Sequence, residues 1–315
     1  MIQFLALVGL LLYVSVPASV KVFLLSGQSN MVGFGKISEI PSGYLSAVKN
    51  VGYYAVDYSD VTDKLPYQFS FPIKPGNACT KTECKKEACM ERFNFGPEVG
   101  IAKVLSSGYP KDKIILIKAA WSGKGLAADW LNSDQPYYPW MIARTNVVLS
   151  DVKKWYGAYN FSGMVWLQGE TDASVLAWAS EYEKNLTEFI RRVRESFKEP
   201  SLPFIYGTIQ NRVKSDGTKT WAFGNIVVEK QWAMSGIENL GCTSLSSSEK
   251  AVTYKNEILV GVERKNGTQD QGCDDYSLGY NIFHYNSASL IFVGESLGRL
   301  IVKRAASRSG VIRCE

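Results

Sequence analysis

A serine set between a glutamine and an asparagine closes the run "VFLLSGQSNMVGFG", Val22 to Gly35. Such a strand end can present a phosphate loop, a nucleophile or a plain turn. The phosphate loop fails on composition, because the stretch lacks both the Walker pattern with its Lys-Ser/Thr and a Gly-x-Gly-x-x-Gly run. Two other strand ends carry complementary chemistry. "AAWSGKGLAADW", Ala119 to Trp130, has two glycines that let backbone N–H groups approach a ligand closely. "WLQGETD", Trp166 to Asp172, has a glutamine, a glycine and two acids. A serine hydroxyl, backbone donors and a side-chain amide at one point would serve acyl transfer, which needs a nucleophile and donors aimed at a developing oxyanion. For the base there is a single histidine, His284, in "GYNIFHYNSASLIFVG". A lone histidine is more often structural, and a buried Gln168 can simply satisfy backbone groups. What favours a base is the place of His284 after the last sheet elements, where a loop can return to the strand ends.

The elements that must carry these ends are visible as apolar runs. "KVFLLS" (Lys21 to Ser26), "KIILIKAA" (Lys113 to Ala120), "GMVWLQ" (Gly163 to Gln168) and "LPFIYGTI" (Leu202 to Ile209) read as buried strands. Helices are expected over Pro97 to Leu105, Tyr138 to Tyr156, Ser174 to Phe197 and about Ser287 to Ala306. In the third, Tyr182, Leu186, Phe189, Ile190, Val193 and Phe197 fall on one face. Strand and helix in alternation predict a parallel sheet with helices on both sides and chemistry at the carboxyl ends of its strands. Ser38 to Asn94, rich in Pro, Gly, Tyr and Lys, breaks the alternation and reads as a long excursion forming one wall of a cleft, within a single domain over 19–315.

The 315 residues are 46% hydrophobic and 21% charged, enough to bury a sizeable core. A net charge of +5, with basic residues scattered apart from a small cluster at Val302 to Arg308, gives no case for a nucleic-acid partner. The opening "MIQFLALVGLLLYVSVPA" has the length of a signal peptide and ends in small residues, which predicts a mature start at Ser19, secretion, and no membrane association after cleavage. Six cysteines (Cys79, Cys84, Cys89, Cys242, Cys273, Cys314) suit an oxidising compartment and up to three disulfides. A zinc site at Cys79, Cys84 and Cys89 is disfavoured by their wide spacing and the lack of a nearby histidine, and no metal site is expected. Asn160, Asn185 and Asn266 head glycosylation sequons.

At these residues the sequence resembles the carbohydrate esterases that include the sialic-acid-specific acetylesterases, a branch of the SGNH/GDSL hydrolase superfamily. The resemblance is carried by "SGQSNMVGFG", "FGPEVGIAKVL", "IKAAWSGKGLAADW", "VWLQGETD", "YEKNLTEFIRRVRESFKEPSLPFIYGTI" and "HYNSASLIFVGESLG", in that order over most of the chain. It implies a three-layer α/β/α sandwich of flavodoxin-like type with a mainly parallel sheet, and a secreted serine esterase acting on O-acetylated sugars without metal or cofactor. Carried over by residue, Ser29 would be the nucleophile and His284 the base. The N–H groups of Ser29 and Gly123 and the side chain of Gln168 would form the oxyanion hole. Asn30, Glu170 and Asp172 would shape the site by hydrogen bonding. Two departures stand out. Asn281 occupies the place, three residues before His284, where the superfamily often has an aspartate; either its carbonyl orients the ring, or Asp270, Asp274 or Asp275 does. Ser122-Gly123 stands where Gly-Gly is common. Two other readings remain: a carbohydrate-binding protein that has lost the chemistry, and a serine esterase for non-sugar esters.

Overall fold

The computed structural model describes residues 19–56, 67–70, 72–73, 75, 94–209, 219–234, 244–245 and 284–306. The expected signal peptide, all six cysteines, and Asn266, Asp270, Asp274, Asp275 and Asn281 lie outside the described residues.

In chain order the strands are β1 (Val20–Gly27), β2 (Gly35–Lys36), β3 (Val51–Val56), β4 (Tyr67–Ser70), β5 (Asn94–Phe95), β6 (Lys113–Ala120), β7 (Asn160–Leu167), β8 (Phe204–Gly207) and β9 (Ser244–Leu245). The helices are α1 (Ser29–Val32), α2 (Glu98–Gly108), α3 (Tyr137–Tyr156), α4 (Leu176–Ser180), α5 (Tyr182–Phe197), α6 (Gly224–Met234) and α7 (Ser287–Ala306). Seven strands form one sheet in the order β4-β3-β6-β1-β7-β8-β9, parallel throughout except for β4. The four expected strands are its centre. Because both faces of such a sheet are covered, its strands are apolar at nearly every position. Along β1, Val22 and Leu24 enter one core with side chains of α3, α5 and α6, while Phe23 and Leu25 enter the other with those of α1, α2 and α7. The result is the expected three-layer α/β/α arrangement.

Two expectations change. The stretch read as an excursion supplies β3, which pairs in parallel with β6, and β4 beside it. The helix expected over Ser174 to Phe197 divides into a 3₁₀ turn at Asp172–Ser174, α4 and α5. The break at Glu181 comes just before Tyr182, whose hydroxyl reaches into the core and donates to the Gln168 carbonyl at 2.7 Å. The foreseen face of α5 is buried at Tyr182, Leu186, Phe189, Ile190 and Val193.

Helix α7, which follows directly on His284, is seated against α2 through glycine. A Cβ at Gly294 would lie 2.1 Å from the Pro97 carbonyl oxygen, and one at Gly100 would lie 2.4 Å from that of Ile291. Only the missing side chains let the two helices approach this closely. No helix among the described residues is long and apolar enough to cross a membrane.

Candidate active site

Register alone brings three strand ends to one level. Gly27, the last residue of β1, pairs with Ala120 of β6 on one side and Leu167 of β7 on the other. The next residues are stitched across the same gap: Gln28 N–H donates to the Leu167 carbonyl at 2.9 Å, and Trp121 N–H to that of Gly27 at 3.1 Å. The chain then turns through an extended Gln28 into the single turn of α1, with Ser29 as its first residue. Ser29 is 6% exposed, and neither its hydroxyl nor its N–H has a hydrogen-bond partner among the described residues. The first N–H groups of any helix lack intrahelical acceptors, so this donor is available to a ligand.

On the β6 side, Gly123 turns with a φ of +72°, and a Cβ there would meet nothing within 4 Å. The space over this loop is open. Trp121 and Trp130 are buried and pack on each other edge to face at 5.3 Å. Tyr137 and Tyr138 remain half-buried, and Lys124 lies over the Tyr137 ring while paired to Asp129 at 3.2 Å.

On the β7 side, Gln168 is fully buried and bonded at every polar atom of its side chain. Its Nε2 donates to Asp172 Oδ2 at 2.6 Å and, at longer range, to Gln28 Oε1 (3.2 Å) and the Lys124 carbonyl (3.3 Å). Its Oε1 accepts from Tyr182, and its carbonyl accepts from Gln231 of α6. The side chain expected as an oxyanion donor is thus engaged in fixing Gln28, the residue before Ser29. Asp172 also accepts the N–H groups of Leu126 and Ala127, which ties the end of the Gly123 loop to β7. Burial raises the Asp172 carboxyl above its ordinary range, against the pull of these donors.

Asn30 ties the Ser29 turn to the Glu170 turn and to the histidine segment. Its Nδ2 donates to Glu170 Oε1 at 2.6 Å, and its Oδ1 accepts the N–H of Tyr285 at 3.0 Å. The residue after Ser29 therefore holds the residue after His284. His284 itself stacks on Phe34, ring centres 4.4 Å apart, and its Nδ1 has no partner among the described residues. Burial lowers the imidazole to about 4, which leaves it neutral at ordinary pH. Burial raises Glu170 to about 7, partly offset by the Asn30 bond and reinforced by the Asp172 charge, and its Oε2 is left without a partner among the described residues.

Sequence reasoning named Ser29, Asn30, Gly123, Gln168, Glu170, Asp172 and His284, and the described bonds connect the three turns and the histidine segment. It missed Gln28, Tyr182 and Gln231. Gln28 stands in the quoted motif and Tyr182 among the core residues of α5; Gln231 had no signal, being one amide in a helix whose pattern is weak. Of the sequons, Asn160 is exposed at the start of β7 and Asn185 half-buried on α5.

Comparison with known proteins adds a frame. The profile of one family, described as carbohydrate esterase, sialic acid-specific acetylesterase, matches residues 19–255. Among curated proteins none matches this sequence. A solved structure of a protein from Arabidopsis thaliana is similar with a TM-score of 0.57 and 16% identity, over 90% of this chain and 98% of that one. NanS is similar with a TM-score of 0.59 and 14% identity, over 93% of this chain and 99% of that one. At these identities the two structures share the fold with this chain.

Proposed function

We propose that this chain, which belongs to the carbohydrate esterase family of sialic acid-specific acetylesterases, is a secreted serine esterase that removes O-acetyl groups from sugars. The observation that carries the reading is Asn30, which joins the Ser29 turn, the Glu170 turn and the His284 segment through two bonds of 2.6 and 3.0 Å. Neutral His284 takes the Ser29 proton as Oγ attacks the acetyl carbonyl carbon. The carbonyl electron pair moves to oxygen, where the N–H groups of Ser29 and Gly123 receive it. Collapse returns the pair, breaks the bond to the sugar oxygen, and His284 passes its proton to that leaving alkoxide. Water, deprotonated by the same imidazole, then attacks the acetyl-serine, and acetate departs as Ser29 recovers its proton. Gln168 and Asp172 keep the donors in place. These steps call for neither metal nor cofactor, and the apolar run over residues 1–18, read as a signal peptide, supports export.

One observation favours the rival reading, a sugar-binding protein without chemistry: no orienting partner faces His284 Nδ1 among the described residues. Acetate release from O-acetylated sialic acids, acetylated xylan and acetylated pectin, with wild type and Ser29→Ala side by side, separates the two. Release from at least one sugar, lost in Ser29→Ala, is the expected result. Binding of a sugar with no release from any of them would favour the rival, and hydrolysis confined to p-nitrophenyl acetate would indicate a non-sugar ester.

A further inference from the structure

Beneath the Ser29 turn lies a buried ion pair that the proposed chemistry does not use. Lys118 of β6 and Glu98 of α2 each keep 3% of their side-chain exposure, with Nζ 3.1 Å from Oε2. The same ammonium donates to the carbonyl of Val32 at 2.6 Å and lies 5.6 Å from the centre of the Tyr53 ring. Glu98 Oε1 in turn accepts the N–H of Gly96 at 2.8 Å.

Stability does not account for a pair this deep. Removing two charges from water costs as much as their attraction returns, and well-packed apolar residues of similar volume often serve as well or better. Position does account for it. Val32 ends α1, where a one-turn helix leaves carbonyls without intrahelical donors, and a charged donor makes a short, strong bond to such an acceptor. Val32 lies three residues after Ser29 and two before Phe34, the ring on which His284 stacks. Lys118 lies five residues before Gly123, on the strand that delivers the Gly123 loop.

The geometry points to Lys118, held by Glu98, as a positioning residue that sets the Ser29 turn and the Phe34 platform of His284 in register with the Gly123 loop. It touches no substrate and acts through the Val32 carbonyl. The inference rests on the esterase reading above.

The test compares wild type, Ser29→Ala, Lys118→Met/Glu98→Gln and Lys118→Arg for p-nitrophenyl acetate hydrolysis, with thermal melting beside it. The double variant removes both charges, while the amide introduced in place of the Glu98 carboxylate can still accept from Gly96. It is expected to melt cooperatively near wild type, keep KM within about twofold, and lose kcat on the order of tenfold to a hundredfold, as misplacement of reacting groups does. A folded double variant with kcat within about twofold of wild type would overturn the inference. Should the double variant not fold, Lys118→Arg decides: it keeps the charge but replaces a point donor with a planar fork. A severalfold lower kcat at unchanged KM supports positioning, and wild-type kcat in folded Lys118→Arg overturns it. Equal rates in wild type and Ser29→Ala would instead bring down the esterase reading itself, which keeps the two failures apart.

Discussion

Burial holds the His284 imidazole at about 4, and in the proposed mechanism, where it is the base, that value sets the acid side of the pH profile. The base must be neutral, so kcat/KM for an acetyl ester is expected to rise through about pH 4 and to be flat by about pH 6. A midpoint near the ordinary histidine value of about 6.5 would mean that a carboxylate from outside the described residues faces the ring. Glu170 titrates in the opposite sense. Its folded value, about 7, is raised above the unfolded one, so the stability it contributes is complete below about pH 4.5 and is lost as pH rises through 7. Glu170→Gln keeps an acceptor for Asn30 and removes this loss. Between about pH 5 and about pH 7.5 the variant is expected to gain on wild type by on the order of 2 kcal/mol, read from urea midpoints. An unchanged difference at the two pH values would refute the buried, proton-binding carboxyl. Asn30→Ala should remove the bonds to Glu170 Oε1 and from the Tyr285 N–H, at a cost of about 1–3 kcal/mol, and lower kcat more than KM rises. At this scale the sequence singled out Ser29 by its polar setting at the end of an apolar run, and His284 by its being unique. The engagement of Gln168 was hidden, because it depends on Tyr182 and Gln231, amino acids brought in by helices far along the chain.

The elements place these residues through two features. The first is register, with Gly27, Ala120 and Leu167 side by side, so that residues just beyond each strand emerge together. The second is the close α2 and α7 pair, which seats the segment after His284 on the segment that carries Glu98. Gly294→Ala should force the helices apart, costing about 1–3 kcal/mol by overpacking and lowering kcat as the histidine segment moves. Melting and p-nitrophenyl acetate rates check both parts, and an unaffected kcat would show that α7 does not set the histidine. Apolar runs made β1, β6, β7, β8, α3 and α7 legible, because burial on both faces or on one stripe leaves a periodic trace. β3 was missed although "VGYYAV" is apolar and aromatic, since the polar, Pro- and Gly-rich surroundings masked a short strand whose pairing with β6 is long-range. The break before α5 was hidden because its apolar face continues in the pattern while Tyr182 is drawn inward to Gln168.

At the scale of the whole molecule, β1 is the pivot of the sheet. From it the chain crosses to β3 and returns to β6 on one side, then builds β7 and β8 on the other. A site at the carboxyl end of such a pivot strand is flanked by loops from both directions, which is where open α/β sheets bind their ligands. That topology gives the Ser29 turn the Gly123 loop on one side and an acid-bearing turn on the other, and the segment leading into α7 is bonded to the same turn. The alternation of strands and helices in the sequence was enough to foresee the layers, though not the order of strands, which no local pattern encodes. The central claim, that Ser29 is an activated nucleophile, is tested most directly by exposing the protein to a fluorophosphonate probe and locating the adduct by mass spectrometry. The account predicts a single adduct on Ser29, formed slowly or not at all in His284→Ala; an unlabelled protein, or a label that persists at another residue in Ser29→Ala, would contradict it.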